Sequence, residues 1–212
     1  MRIRNPELKE NILHIVIPMF AKSGYTGVSM RDIAAAVKMS PAALYYHFPD
    51  KESLYLNVLK HAFFRKAEGL VEALNQEVLP EKKLAALVEV LCETMAEDPD
   101  FHALMQRELL ENDTARMQML AKEVFHDFFT VVSQLASELG SGYDTHLLVI
   151  SILGLVVYHY ETVAIRPYLP GCRPEHDKVE VVARHITTLL TNGLSRSNLP
   201  NPSEQPGGID KT

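Results

Sequence analysis

The chain has 212 residues, of which 47% are hydrophobic and 23% are charged, and its formal net charge at pH 7 is −6. This composition is typical of a soluble globular protein and excludes wholesale disorder. The longest apolar run, residues 147–160, is shorter than the roughly 18 residues that a membrane span needs, and two cysteines are too few for a disulfide framework. We therefore expect a cytoplasmic protein without a bound metal or other cofactor.

Charge is distributed unevenly along the chain. Residues 1–51 hold seven Lys or Arg and four Asp or Glu, which gives a net charge of +3, whereas residues 52–212 are acidic with a net charge of −9. A cationic segment attached to an acidic body suggests that the first segment contacts an anion, such as nucleic acid, and that the remainder does not.

Apolar residues recur with a period near 3.6 along most of the chain, and strand patterns are almost absent. This pattern predicts an all-α fold of about nine helices. The first helix contains Pro18, which should kink it because proline cannot donate a hydrogen bond to the carbonyl of His14. The predicted helices span residues 5–24, 29–37, 41–47, 51–79, 81–97, 100–111, 114–139, 144–168 and 175–195.

The second and third predicted helices are short and joined by a tight break, which is the pattern of a helix-turn-helix. Ser29 and Asp32 form a capping-box-like start to one helix, and Ser40-Pro41 begins the other. In this motif the second helix enters the major groove of DNA and the first crosses the backbone. The candidate DNA-binding residues are Ser29, Arg31, Ser40, Pro41, Ala42, Ala43, Tyr45, Tyr46, His47 and Lys51.

A longer motif surrounds this helix-turn-helix. It consists of Ile12-Leu13, Phe20, Gly24-Tyr25, Val28 to Ala34, Ser40, Leu44 to Phe48 and Lys51 to Leu54. With this motif, residues 12–54 resemble the DNA-binding domain of the tetracycline-repressor-like (TetR/AcrR) transcriptional regulators. The residues that the resemblance assigns to phosphate oxygens are Ser29, Tyr45, His47 and Lys51. Those that it assigns to base edges are Pro41, Ala42 and Ala43, with Tyr46 at the edge of the groove.

The residues at the start of the recognition helix, 41–43, carry no polar side chain for bidentate hydrogen bonding to a base. We therefore hypothesise that they read DNA by contact with thymine methyl groups and by DNA shape, with modest discrimination at each position.

The sequence departs from the family pattern at two positions. Lys38 stands in the turn between the two short helices, where the family usually has glycine, and a positive φ there would cost a non-glycine residue roughly 1 kcal/mol. Pro18 stands where the family usually has alanine, so a bend in the first helix would alter the relation of the DNA-binding segment to the body.

The resemblance also implies the organisation of the whole chain. It implies a helix-turn-helix domain over residues 1–50, a helical ligand-binding and dimerisation domain over 51–195, and a homodimer formed by the last two helices. From its composition, we expect 196–212 to be a disordered tail. Segment 144–168 independently indicates an interface or a central position, because a helix that is apolar over most of its circumference must be covered on all sides.

Some side chains of the DNA-binding segment are expected in the core and others at the surface. The residues expected in the core are Ile33, Leu44 and Phe48. Because Tyr45, Tyr46 and His47 are consecutive, they cannot all face inward on a helix, so at least one tyrosine and His47 are expected at the surface.

The helical body combines apolar and aromatic residues with a few histidines and an arginine, which is the composition of a small-molecule site. A hydrophobic or amphipathic effector is expected there, although a filled core stays open as the alternative for each residue. The candidate ligand-binding residues are Met95, Met105, Arg107, Met117, Phe125, His126, Phe129, Tyr158 and His159.

The resemblance implies a non-enzymatic, ligand-responsive regulator, a repressor released from a pseudo-palindromic operator by its effector. The alternative is a helical metal- or lipid-binding protein or enzyme with a fortuitous N-terminal resemblance. Glu123 and His126 have the Glu-x-x-His spacing of di-iron bundles, but such sites need a second copy and the sequence has none. We therefore do not expect a metal site.

Overall fold

The computed structural model describes residues 6–76, 79–139 and 142–194, and these residues form helices and connecting turns without any strand. The all-α prediction is confirmed. The α-helices are α1 (Pro6–Ser23), α2 (Met30–Ala36), α3 (Pro41–His47), α4 (Lys51–Gln76), α5 (Pro80–Glu97), α6 (Pro99–Glu111), α7 (Thr114–Leu120), α8 (His126–Glu138), α9 (Thr145–Glu161) and α10 (Val179–Leu194). Among the described residues, no helix combines the length and the apolar character needed to cross a membrane. The predicted tail, 196–212, lies outside the described residues.

The two helices of the helix-turn-helix begin where the sequence places their caps. Ser29 caps α2 in a full capping box with Asp32, and Ser40 caps α3 with Pro41 as its first residue. Each cap serine accepts a hydrogen bond from a backbone N–H in the first turn, which satisfies a donor that the helix itself cannot satisfy.

Two predicted helices differ from the observed ones. The predicted helix 144–168 ends earlier, at Glu161, and the chain then turns into a short 3₁₀ helix, Arg166–Tyr168. The Thr162 hydroxyl donates to the carbonyls of Tyr158 and His159 in the last turn. The predicted helix 114–139 is interrupted between α7 and α8 by a π-helical turn, Ala121–Phe125. No periodicity of apolar residues distinguishes a π turn from an α turn, so the sequence could not reveal it.

Helix α1 runs from Pro6 to Ser23 with Pro18 inside it. The helical assignment continues on both sides of Pro18, and the predicted kink stays a prediction. The predicted N-cap, Asn5, lies outside the described residues.

By packing, the chain divides into two compact units. The first comprises Met1–Glu72 with Glu93–Phe128, and the second comprises Ala73–Cys92 with Phe129–Thr212, as far as these segments are described. The first unit contains the helix-turn-helix and extends well past residue 50, because α1 packs extensively against α6. The domain boundary predicted at residue 50 does not coincide with the edge of this compact unit. It stays a prediction about where the DNA-binding segment ends.

The core of the first unit surrounds the helix-turn-helix. Ile33, Leu44 and Phe48 are each at most 1% exposed, which confirms their predicted place in the core. Fully buried residues of α1 and α4 complete this core; they include Ile12, Val16, Phe20, Leu54, Tyr55 and Val58. The positions of α2 and α3 are therefore fixed by packing against the two helices that flank them in the sequence.

Helix α9 is apolar on two faces, only one of which is covered in the second unit. Its buried residues are Leu148, Val149, Ile152, Val156 and Tyr160. Its large exposed apolar residues are Leu147, Ile150, Leu155 and Tyr158. Within the described part of the chain, one face of this helix thus presents to solvent the kind of surface that proteins normally bury.

The turn between α2 and α3 has a left-handed backbone at Lys38, the position where the family usually has glycine. Lys38 has a φ of 55°, a region in which the Cβ of a non-glycine residue is strained.

We expect the Lys38→Gly variant to be more stable than Lys38→Ala by about 1 kcal/mol, since both lack the side chain and only alanine retains the Cβ. Urea unfolding monitored by circular dichroism measures the difference. At Ala35, exposed within α2, the alanine should instead be more stable than glycine by about 1 kcal/mol. Equal stability of the two Lys38 variants would show that this turn is not strained.

Candidate nucleic-acid interface

The first turn of α3 presents small apolar side chains. Pro41 and Ala42 are exposed and Ala43 is half-buried. The Ser40 hydroxyl accepts the N–H of Ala43 at 3.2 Å, which fixes the direction in which α3 begins. No acidic residue lies in this turn, so no carboxylate of α3 itself repels a phosphate backbone that approaches the start of the helix.

The first turn of α2 is held by the Ser29–Asp32 capping box. The Ser29 hydroxyl donates to the carboxylate of Asp32 at 2.6 Å, and this hydrogen bond lowers the pKa of Asp32. Ser29 itself remains exposed, as does the neighbouring Arg31. To donate to a phosphate, the Ser29 hydroxyl must therefore turn away from Asp32.

The last turn of α3 carries two exposed tyrosines. Tyr45 is 48% and Tyr46 54% exposed, so both satisfy the expectation that at least one lies at the surface. His47 is only half-buried rather than fully exposed, because it lies three residues after buried Leu44 and thus on the inner side of the helix. Its ring stands edge-on to that of Tyr46, with 5.4 Å between centroids.

Lys51 begins α4 and lies against an aromatic ring. Its Nζ is 4.4 Å from the ring centroid of Tyr25, which follows the C-terminus of α1. Partial burial lowers the pKa of Lys51, and nearby Arg116 adds to this effect while Glu111 opposes it. The Lys51 ammonium is thus held in a cation–π contact at the start of α4.

Behind Tyr25 lies a buried polar cluster. Arg116 of α7 donates to Glu108 at 2.8 Å and to Glu111 at 2.7 Å, and the hydroxyl of Tyr55 donates to Glu108 at 2.7 Å. Glu108 is fully buried and Arg116 is 8% exposed. Burial disfavours the charge of Arg116, but the hydrogen bond and charge of Glu108 outweigh this and raise the pKa of the guanidinium. Burial and the hydrogen bond to Glu108 raise the pKa of Tyr55.

The candidate ligand-binding residues are divided between the two units. Met95, Met105, Arg107, Met117, Phe125 and His126 belong to the first unit, and Phe129, Tyr158 and His159 belong to the second. In the first unit, Met105, Met117 and Phe125 are half-buried and pack against the core. That placement suits a filled core as well as a pocket wall, so their role in binding a ligand stays a prediction.

Two polar candidate ligand-binding residues form hydrogen bonds within the protein. Arg107 donates to the carbonyls of Ala21 and Lys22 at 2.7 and 2.8 Å, and so caps the C-terminus of α1. His159 accepts from Arg166 at 2.7 Å, and its pKa is lowered first by burial and then by that arginine. Both contacts are consistent with roles in holding local structure.

The remaining polar and aromatic candidates lie at the surface or close to it. His126 is exposed, and Tyr158 is 67% exposed on the outer side of α9. Glu123 of the Glu-x-x-His pair lies in the π turn and forms an ion pair with Lys60. Among the described residues, no group of three or more His, Cys, Asp or Glu is placed to hold a metal ion.

The buried cluster is not indicated by the sequence. Glu108 and Tyr55 are 53 residues apart, and nothing in the local pattern of α6 signals that one of its glutamates points inward. Glu108 can be buried because Arg116, which follows the turn between α6 and α7, donates a hydrogen bond to it.

Comparison with known proteins bears on the identity of this interface. The family model for bacterial regulatory proteins of the tetR family matches residues 17–58, which include α2, α3 and the start of α4. The HTH-type transcriptional repressor NicS of Pseudomonas putida is 30% identical over 104 residues, which are 48% of this chain and 48% of NicS. Residues 17–58 of this chain are thus similar to the DNA-binding region of tetR-family regulators.

Solved structures of two regulators show that the fold of this chain is shared over most of its length. The structure of FadR from Bacillus subtilis in complex with stearoyl-CoA aligns with a TM-score of 0.71 at 18% identity, covering 86% of this chain and 97% of FadR. The structure of AibR in complex with isovaleryl coenzyme A and operator DNA aligns with a TM-score of 0.68 at 19% identity, covering 86% and 97%. In sequence, the matched region spans about half the length of the curated relative NicS.

Proposed function

We propose that this protein is a tetR-like, ligand-responsive transcriptional repressor that binds a pseudo-palindromic operator as a homodimer. The observation that carries the proposal is the helix-turn-helix: two capped helices packed between α1 and α4, with the first turn of α3 and both tyrosines of its last turn exposed. Two such motifs in a dimer enter successive major grooves about 34–36 Å apart. The alternative, a metal- or lipid-binding protein, is not favoured by the comparisons.

An amphipathic effector is the ligand class that the family relatives support. The structures named above hold stearoyl-CoA in FadR and isovaleryl coenzyme A in AibR, and both ligands join an apolar acyl chain to an anionic headgroup. We extend this class to the present chain, for which an apolar or amphipathic effector is expected from composition. Its binding would shift the population towards a spacing of the two DNA-binding domains that does not fit the operator.

The uncovered apolar face of α9 supports dimerisation. Together with α10 it borders an apolar cleft of about 250 Å³, lined by Tyr143, Asp144, Leu147, Leu148, Ser151, Leu189, Leu190 and Gly193. Leu189 of α10 is also 52% exposed. A second copy that packs its own α9 and α10 against these residues would remove this apolar surface from water.

Selection of binding sites from random duplex DNA, followed by affinity measurements across a salt series, tests the proposal. We expect an inverted repeat. Lys51→Ala should lower the slope of log affinity against log salt by about one unit because one phosphate contact is lost. His47→Ala should weaken binding as well. Lys82→Ala, which removes an exposed lysine of α5 in the second unit, away from the proposed interface of α9 and α10, is the control and should leave the slope unchanged.

The recovered site also tests the reading of bases and the effector. Replacing its thymines with uracil removes only the methyl groups and should weaken binding if residues 41–43 contact them. Acyl-CoA thioesters of increasing chain length should release the labelled site. Absence of any enriched sequence at low salt, from protein shown by mass spectrometry to carry no ligand, would refute the repressor hypothesis.

A further inference from the structure

A buried ion pair in the first unit holds more than its own helices together. Arg116 and Glu108 lie eight residues apart in the chain, and the carboxylate receives hydrogen bonds from both Arg116 and Tyr55. Burying two charges carries a desolvation cost that apolar residues of similar size would avoid. The guanidinium makes a further contact, beyond Glu108, with Tyr25.

The Arg116 guanidinium also contacts the segment between α1 and α2. Its Cζ lies 4.6 Å from the ring centroid of Tyr25, and the Tyr25 and Tyr55 rings are 5.0 Å apart. Lys51 lies over the same Tyr25 ring, at 4.4 Å. One aromatic ring thus contacts both the buried cation of α7 and the more exposed cation at the start of α4.

We infer that Arg116 and Tyr25 are positioning residues for DNA binding. The buried ion pair fixes the Tyr25 ring, and the ring holds Lys51 where its ammonium can reach a phosphate. This inference rests on the proposed function and deepens it by naming the route through which α6 and α7 act on the DNA-binding surface.

The acidic partners of Arg116 connect the end of α6 with α7. Glu108 and Glu111 lie in the last turn of α6, and Asp113 lies in the two-residue turn before α7, with 3.8 Å between its carboxylate and the guanidinium. All three partners therefore belong to one short stretch. A shift of α6 relative to α7 must move the guanidinium, and Tyr25 and Lys51 would follow it.

The test is a double-mutant cycle on operator affinity, measured by fluorescence anisotropy with the selected site. The variants are Tyr25→Leu, Tyr25→Phe and the paired change Glu108→Gln with Arg116→Met, each made with and without Lys51→Ala. The paired change avoids an unpaired buried charge, and the amide that replaces the Glu108 carboxylate can still accept the Tyr55 hydroxyl. The control pair is Lys60→Met with Glu123→Gln, which removes an ion pair of the same unit that does not touch Tyr25.

We expect Tyr25→Leu and the Glu108–Arg116 paired change each to weaken operator binding about three- to tenfold when Lys51 is present, and less than about twofold when it is alanine. Tyr25→Phe retains the ring and should rescue binding to near the wild-type affinity. The control pair should have no effect. Equal losses with and without Lys51 would overturn the inference, since they would indicate only a general loss of structure.

A second measurement separates this inference from the proposed function because it needs no DNA. In the NMR spectrum of the full chain with labelled lysine, the ε-protons of Lys51 should be shifted upfield by the Tyr25 ring current. Tyr25→Leu should abolish the shift and the Glu108–Arg116 paired change should reduce it. A wild-type protein that binds no operator refutes the function, whereas a shift that is absent, or unchanged in the paired variant, refutes the positioning role.

Discussion

Replacing Arg116 with methionine alone should lower the free energy of unfolding by about 3–5 kcal/mol. The reason lies in the residue that remains. Glu108 is fully buried, and without Arg116 its carboxylate keeps only the Tyr55 hydroxyl as a hydrogen-bond partner while its negative charge is left uncompensated. Removing one member of a buried pair is costly for this reason, even where the intact pair adds little net stability.

The double variant Glu108→Gln with Arg116→Met separates this cost from the loss of packing. Because the fully buried position 108 then carries no charge, and Glu111 is partly exposed to water, most of the lost stability should return. Urea unfolding of the two variants and of the wild type, compared at pH 7, provides the measurement. Equal destabilisation by the single and double variants would show that the methionine simply fails to fill the space of the guanidinium.

Changing Leu147 to glutamate should prevent formation of the proposed dimer and reduce operator affinity by about 10²–10⁴-fold. Leu147 is 63% exposed at the start of α9, and it lines the apolar cleft with Leu189 of α10. A charge at this position would be buried without a partner in a dimer interface, but would remain solvated in a monomer. The loss of affinity follows because the two DNA-binding domains of a dimer bind one operator bivalently.

Sedimentation velocity and operator titration of the same samples measure the two effects. Leu110→Glu is the matched control, because Leu110 is 78% exposed on α6 in the first unit and lies outside the proposed interface. That variant should remain dimeric and bind operator normally. A Leu147→Glu protein that stays dimeric would place the interface on another surface.

Local sequence was sufficient to predict the helix-turn-helix. Serine caps, a proline at the first position of α3 and apolar residues at helical spacing are short-range signals, and the structure contains the caps and the buried Ile33, Leu44 and Phe48 that they predict. The strain at Lys38, where the family usually has glycine, could also be predicted from the sequence, because the strain of a positive φ depends on one residue and its own Cβ. Such features are decided within a few residues of chain.

Side-chain partners were less predictable than helices. The composition of the body suggested a pocket containing Arg107 and His159, whereas packing gives these residues partners at the C-terminus of α1 and in the connection after α9. An apolar or basic residue on a helix looks the same in sequence whether it lines a cavity, fills a core or caps a neighbouring helix.

The sequence by itself determined that this is an all-α chain whose first segment is a helix-turn-helix, because capping and periodicity are local. Only the tertiary structure decided that Glu108 and Arg116 form a buried pair, that Tyr25 lies between that pair and Lys51, and that one apolar face of α9 is left uncovered. Such arrangements depend on which helices pack together, and distant residues acquire partners only when the chain folds.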